Sequence, residues 1–408
     1  MRTTYKAISI FLFAAWLLSS LAACGGSGGG ASSSGGTQTL LLGATLPITG
    51  PLSTFGTVLQ LGYSRAIDEV NASGGIDIKG TKYKVQLTFL DNKSDPNTAS
   101  QQARTLFLKN NVVALLGSAT PSLDIAISNV AEQLKRPTIM TISPVEAWLG
   151  ARTSGWNYAW NIFFDENQST RANYEASNLI KTNKRVALFT DTEEDGITMG
   201  GIWAKEAPGY GYTIAYHASF PVGTTDFSSF IAASKAANAD IVIAQMLPPD
   251  AIALWKQMKA LNYQPKAAYC EKCASNSGWP KALGAVAEGT MNNSIWDPSE
   301  GYPQASAFEA AYGATWMTPD LGVIVYAYTD AKVTMDVINK AQSLDPDAIN
   351  TAVPQVTGLY PAGQIKFGSN HAAITGSVEE QWQNGKNVQI YPQISGSNTK
   401  IETPVPGL

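Results

Sequence analysis

The chain has 408 residues, a formal net charge of −4, 44% hydrophobic residues and two histidines, His217 and His371. This is ordinary globular composition with room for two or three domains, and the mild acidity, with no basic patch after residue 10, speaks against a nucleic-acid partner. The two histidines stand far apart and no HExxH or paired Cys/His spacing occurs, so neither a metal site nor a cofactor is expected.

Arg2 and Lys6 precede an apolar stretch, Ala7 to Leu18, that is too short for a good membrane span and reads as an export signal. It ends in Leu21-Ala22-Ala23-Cys24. That tetrapeptide resembles the lipobox of bacterial lipoproteins, which implies cleavage before Cys24 and acylation of its thiol. Several acyl chains anchor a protein stably where one binds only marginally. Residues 25–37 are Gly, Ser, Ala and Thr, a composition that cannot bury a core and serves as a flexible tether. No later run is apolar enough to span a bilayer.

After the tether, strands alternate with helices. Leu40 to Leu46 reads as a buried strand. Leu59, Gly62, Tyr63, Ala66, Ile67 and Val70 share one helical face, and Gly74-Gly75 ends that helix. Val85 to Leu90 is a strand, Ser94-Asp95-Pro96 a helix start, and Val112–Leu116, Ser122–Leu134 and Thr138–Ile142 repeat strand, helix, strand. A second series follows: strand Val186–Phe189, helix Ile197–Glu206, strand Thr213–Ala218, helix Phe227–Ala236, strand Ile241–Gln245, helix Ala251–Leu261 and strand Lys266–Tyr269. Such alternation builds parallel sheets with helices on both faces. Two series imply two α/β lobes, each doubly wound, with ligand at the carboxyl ends of the strands.

The strand-end loops carry a resemblance. Gly43 to Pro51, Phe55-Gly56, and Asp68 to Ile76 are similar to type I periplasmic binding proteins, nearest the branched-chain amino acid and amide receptors of ABC transporters. The likeness continues at Asp91-Asn92, Gly117-Ser118, Val130-Ala131-Glu132 and Ile142-Ser143-Pro144. It recurs at Ala287-Glu288-Gly289, Gly363 to Phe367, Gln381-Trp382 and Tyr391-Pro392, and so covers most of residues 40–392. It implies two doubly wound parallel-sheet lobes joined by a three-strand hinge. The crossings fall near Phe164, Ile295 and His371: residues 38–164 with 296–371 form one lobe, 165–295 with 372–392 the other, and 393–408 a tail. It also implies an exported, non-enzymatic receptor that closes on a small molecule (amino acid, amide or small organic acid). Its further partners are the permease subunits of an importer, with the membrane touched only through Cys24.

The resemblance also points to binding residues. Phe55 takes the place of an aromatic that packs on ligand. Ser118, Thr120 and Ser122 offer hydroxyls and N–H groups at a helix start, which suit a carboxylate or simply cap the helix. Val145 and Ala147 occupy positions that serve ligand through the backbone, although Glu146 between them would repel a carboxylate. Asp195 and Leu247 fall where relatives often have aromatics. Glu271 follows a strand at the position of an acid that pairs with a ligand ammonium. Trp148, Trp160, Trp279 and Trp296 flank these loops, mostly as packing, with an aromatic-rich cleft as the other prospect. Cys270 and Cys273 form a CxxC with no second metal-binding pair; in an oxidising compartment a local disulfide or two free thiols are the readings. A sensory lipoprotein on the same fold stays open. A secreted hydrolase finds no GxSxG elbow or Cys/His dyad to stand on.

Overall fold

The computed structural model describes residues 38–394 and 399–408. Cys24 and the tether 25–37 lie outside the described residues. The strands run β1 (Gln38–Leu46), β2 (Ile76–Ile78), β3 (Thr81–Asp91), β4 (Ala114–Leu116), β5 (Thr138–Thr141), β6 (Ala159–Phe163), β7 (Arg185–Asp191) and β8 (Thr213–Phe220). They continue β9 (Ile241–Gln245), β10 (Ala267–Cys270), β11 (Thr290–Ser294), β12 (Thr357–Tyr360), β13 (Gly363–Lys366), β14 (Ala372–Ile374), β15 (Val378–Gln383) and β16 (Lys386–Tyr391). One seven-stranded sheet has the order β14-β6-β5-β4-β1-β3-β2, the other β16-β15-β11-β10-β9-β7-β8, and β12 and β13 form a hairpin apart.

Within each large sheet the central strands are parallel and antiparallel pairing is confined to one edge: β2 on β3 in the first, β15 on β11 and β16 in the second. β9 (Ile-Val-Ile-Ala-Gln) and β10 (Ala-Ala-Tyr-Cys) are buried throughout. Helices cover both faces, so a continuous run rather than an alternation is what such strands require. In the first sheet β1 has β3 on one side and β4 on the other; in the second, β7 has β8 and β9. These are the points where strand order reverses, and doubly wound sheets open a crevice there at the strand carboxyl ends.

The chain leaves the first sheet after Phe163, returns after Ser294 and crosses again between Ile374 and Val378. β14 pairs with β6, so the first lobe extends through Ile374, three residues past the expected boundary. The expected tail is also amended. In residues 399–408, Val405 and Leu408 are buried in the second lobe's core, with Val405 N–H donating to Pro265 O at 3.1 Å and Gly407 N–H to Glu288 O at 3.0 Å.

The longest helix, Thr318–Ala341, lies in the first lobe against helix Ser53–Ala72. Gly62 permits the close approach: a Cβ there would fall 2.3 Å from Ile324 O. Asp330 of the long helix accepts from Gly117 N–H at 3.0 Å and from the Tyr63 hydroxyl at 3.1 Å, fixing the loop after β4. Burial raises the Asp330 carboxyl to about 8.

Candidate functional site

Between the two sets of strand ends lies a cleft with about 650 Å³ of empty space, part of it open to solvent. The first lobe supplies Phe55, Thr120, Ile142, Pro144 and Phe163. The second supplies Asp195, Met199, Gln245, Glu271, Lys272, Ser275, Asn293 and Ser294. Phe164 and Ile295 come from the crossings, and Pro319 and Val323 from the first turns of the long helix. Phe55 enters from the first turn of helix Ser53–Ala72. Thr120 opens helix Thr120–Leu134 with φ +65°, held by its N–H on Ile142 O at 2.9 Å. Its hydroxyl lies 3.0 Å from that of Ser122, which donates to Glu193 Oε1 at 3.3 Å across the mouth of the cleft.

The second-lobe wall carries the charge. Glu271 is buried rather than on an exposed loop, at the start of a single helical turn, Glu271–Ala274. Ser169 donates to its Oε2 at 3.1 Å and Asn173 Nδ2 to its Oε1 at 2.8 Å. The same Asn173 nitrogen reaches Glu379 Oε1 at 2.7 Å, so two carboxyls share one amide. Burial raises Glu271 to about 7, against the pull of Asn173, Ser169 and the Asn293 backbone; Glu379, wholly buried beside it, is raised further.

Lys272 is the neighbour that the sequence reading passed over. Its Nζ lies 2.8 Å from Asp195 Oδ2 and 3.0 Å from Glu193 Oε2. Burial alone would lower its pKa, but Asp195, Glu193 and Asp191 together raise it. Gln245 braces the arrangement, donating to Asp195 at 2.9 Å and accepting from Lys272 N–H at 3.1 Å. One carboxylate oxygen from each of Asp191, Glu193 and Asp195 lies within 4.8 Å of the others, a set that could hold a cation. The protein places its own ammonium against them. A disulfide joins Cys270 to Cys273, with Cα atoms 5.4 Å apart, and closes the turn that carries both Glu271 and Lys272.

Several residues singled out from the sequence stand outside the cleft wall. Ser118 is buried behind it, its N–H on Asp124 Oδ1 at 2.7 Å and its hydroxyl accepting from Asn92 at 3.2 Å. Ser122 sits at the rim on Glu193. Val145 N–H donates to Phe164 O at 3.1 Å. The N–H groups of Glu146 and Ala147 donate to Glu166 Oε2 and Oε1 at 2.6 and 2.7 Å, so the Ala147 donor expected for ligand already holds an internal carboxyl. Glu166 is buried, and burial raises it to about 8 even though Ala147 and Glu146 pull it down. Leu247 packs among first-lobe apolar side chains, with its N–H on Asp191 Oδ2 at 3.1 Å. Trp148 stacks on Trp156 at 4.9 Å, Trp160 on His371 at 3.7 Å, and Trp279 meets Trp255 edge-on at 5.1 Å. Trp296 donates to Pro361 O at 3.1 Å. The aromatics of the cleft are phenylalanines.

Phe163, Phe164, Met199, Gln245, Asn293, Ile295, Pro319 and Val323 were not foreseen as lining. Gln245 ends a predicted strand, Phe164 and Ile295 mark expected crossings, and these positions were the available signals. Asn293 had none, because Thr-Met-Asn-Asn-Ser is poor in strand formers and becomes a strand by lying between β10 and β15.

Residues 39–386 match a sequence family described as periplasmic binding protein. The chain is 26% identical over 379 residues to Leu/Ile/Val-binding protein homolog 8 of Brucella abortus (strain 2308), covering 86% of this chain and 90% of that one. Among solved structures it is similar to a leucine-binding protein of Thermotoga maritima MSB8, with TM-score 0.76, 22% identity, and coverage of 86% of this chain and 97% of the other. It is also similar to a solute-binding protein of R. palustris in complex with benzoate, with TM-score 0.73, 18% identity, and coverage of 86% and 95%. At these identities the structural likeness carries the fold.

Proposed function

The chain belongs to the periplasmic binding protein family, and on that premise we propose that it is the extracytoplasmic receptor of an ABC importer, capturing an amino acid, amide or related small organic molecule. The observation that carries this reading is the cleft itself: apolar side chains from both lobes and the crossings enclose it, and one lobe sets a buried carboxyl, Glu271, against that apolar surround. The two lobes touch at its edges through Ser122 and Glu193 and through Ser277 N–H on Asp320 Oδ1 at 3.2 Å. Ligand that contacts both walls favours the closed arrangement by its differential affinity, and closure is the state a permease can read. Lowered dielectric in the shut cleft strengthens any pairing with Glu271. Acylation at Cys24 and the tether 25–37 would keep the receptor beside its transporter.

Thermal-shift screening of a metabolite library, followed by calorimetry, tests this. A ligand at 100-fold over its Kd adds about 2.7 kcal/mol of stability and should be recovered chemically unchanged. A compound converted to product by the purified protein would refute the receptor reading.

A further inference from the structure

We propose that Asn293 is a ligand-binding residue and that, with Glu271, it selects a ligand whose polar end is an N–H-bearing cation free of carboxylate. The proposal rests on the reading of the cleft as a solute site. Asn293 lines the cleft on β11 and is 5% exposed. Its carboxamide faces Glu379 and favours that group's ionised form, yet neither Nδ2 nor Oδ1 meets hydrogen-bond geometry with any partner. A buried amide that faces one carboxyl without reaching hydrogen-bond geometry is costly, and folded proteins rarely keep one without a use. Its backbone N–H lies against Glu271 while its carboxamide faces Glu379, so the residue sits between the two carboxyls that also share Asn173.

The charges around it set the ligand class. Among the described lining residues Lys272 is the one cation, and Glu193 and Asp195 already hold it at 3.0 and 2.8 Å. The nearby backbone donors of Glu146 and Ala147 are taken by Glu166. A ligand carboxylate would therefore meet Glu271 and Asp195 with no unengaged cationic side chain to balance it. An ammonium instead meets Glu271, gives a further N–H to Asn293 Oδ1, and leaves Nδ2 to donate to a neutral oxygen on the same ligand. The apolar remainder fits Phe55, Phe163 and Phe164.

Two matched series test the class by calorimetry: isopentylamine, leucinamide, leucine and isocaproate, then phenethylamine, phenylalaninamide, phenylalanine and hydrocinnamate. In at least one series the amine and amide should bind roughly tenfold or more tighter than the acid and the zwitterion. Asn293→Leu should weaken their binding roughly tenfold while leaving the unliganded melting temperature unchanged or higher, since an unpaired amide is removed. Asn293→Ala supplies the same reading if the leucine variant folds poorly. An acid or zwitterion that binds tightest, or Asn293 variants of unchanged affinity, would overturn the proposal and leave the receptor reading standing. No binding by either series or by any compound in an envelope extract would overturn both.

Discussion

Replacing Lys272 with methionine keeps an unbranched stem and deletes an ammonium that three carboxyls surround. The two direct contacts, at 2.8 Å to Asp195 and 3.0 Å to Glu193, are both buried or nearly so. Asp191 already sits at about 7, raised by burial and eased by Lys272. Removing one partner of a buried pair typically costs about 3–5 kcal/mol. A lobe of roughly 200 residues shifts by about 2–4 °C per kcal/mol, so Lys272→Met should melt roughly 6–20 °C below the parent at pH 8. The deficit should narrow at pH 5. Without the ammonium that eases it, the folded Asp191 carboxyl rises further above its unfolded value, so the native state binds more protons, and that part of the stability is present at low pH and lost as pH rises. Adding Asp195→Asn to Lys272→Met should recover part of the loss. Differential scanning fluorimetry on parent, single and double variants at both pH values reads this. A single variant melting within about 2 °C of the parent at pH 8 would mean that Lys272 does not neutralise the cluster, and the account of the charged wall would fall.

Glu271→Gln should keep the hydrogen bond from Ser169 but weaken a cationic ligand by at least about 100-fold, on the order of 3 kcal/mol; unchanged affinity by calorimetry would place the cation elsewhere. Because the folded Glu271 carboxyl titrates near 7 against an ordinary 4.5, the unliganded parent should lose stability between roughly pH 5 and 7. The Gln variant should lack that part of the slope, and melting curves across this range check it. Protein isolated from the envelope and denatured without reductant should resist alkylation at Cys270 and Cys273 and weigh about 2 Da less than the dithiol. Reduction should cost about 2 kcal/mol on the loop-entropy estimate for so short a ring, seen as a lower melting temperature, whereas two thiols modified before reduction would remove the disulfide from the account. Cys24→Ser should abolish incorporation of labelled fatty acid, and labelling equal to the parent would rule out acylation at Cys24.

The parts of the fold that were readable are those in which local pattern and tertiary role agree. Ile241 to Gln245 is an apolar run because the strand is covered on both faces, and its limits in the structure are those of the run. Phe55, Thr120, Asp195 and Glu271 could be placed at the cleft because they follow strand ends or open helices. Lys272 could not, since its burial depends on Asp195, far earlier in the chain and brought near only when β7 and β9 align beside β10. Nor could the engagement of Glu146 and Ala147, because backbone N–H groups have no letter in a sequence and their acceptor, Glu166, lies beyond a crossing. The buried acids of β15 ran against the expectation that Glu faces water; pairing with β11 and the second lobe's core outweighed it.

The long helix Thr318–Ala341 touches both halves of the closing device. Its first turn, at Asp320, takes an N–H from Ser277 of the second lobe. Ten residues on, about 15 Å along a stiff rod, Asp330 clamps Gly117 in the loop that presents Thr120. Lobe docking at one end and the first-lobe wall at the other are thus fastened to the same helix. Were displacement of the Gly117–Thr120 loop to carry the helix with it, ligand binding would change how readily Ser277 docks. By thermodynamic reciprocity, docking would change the affinity for that ligand by the same factor.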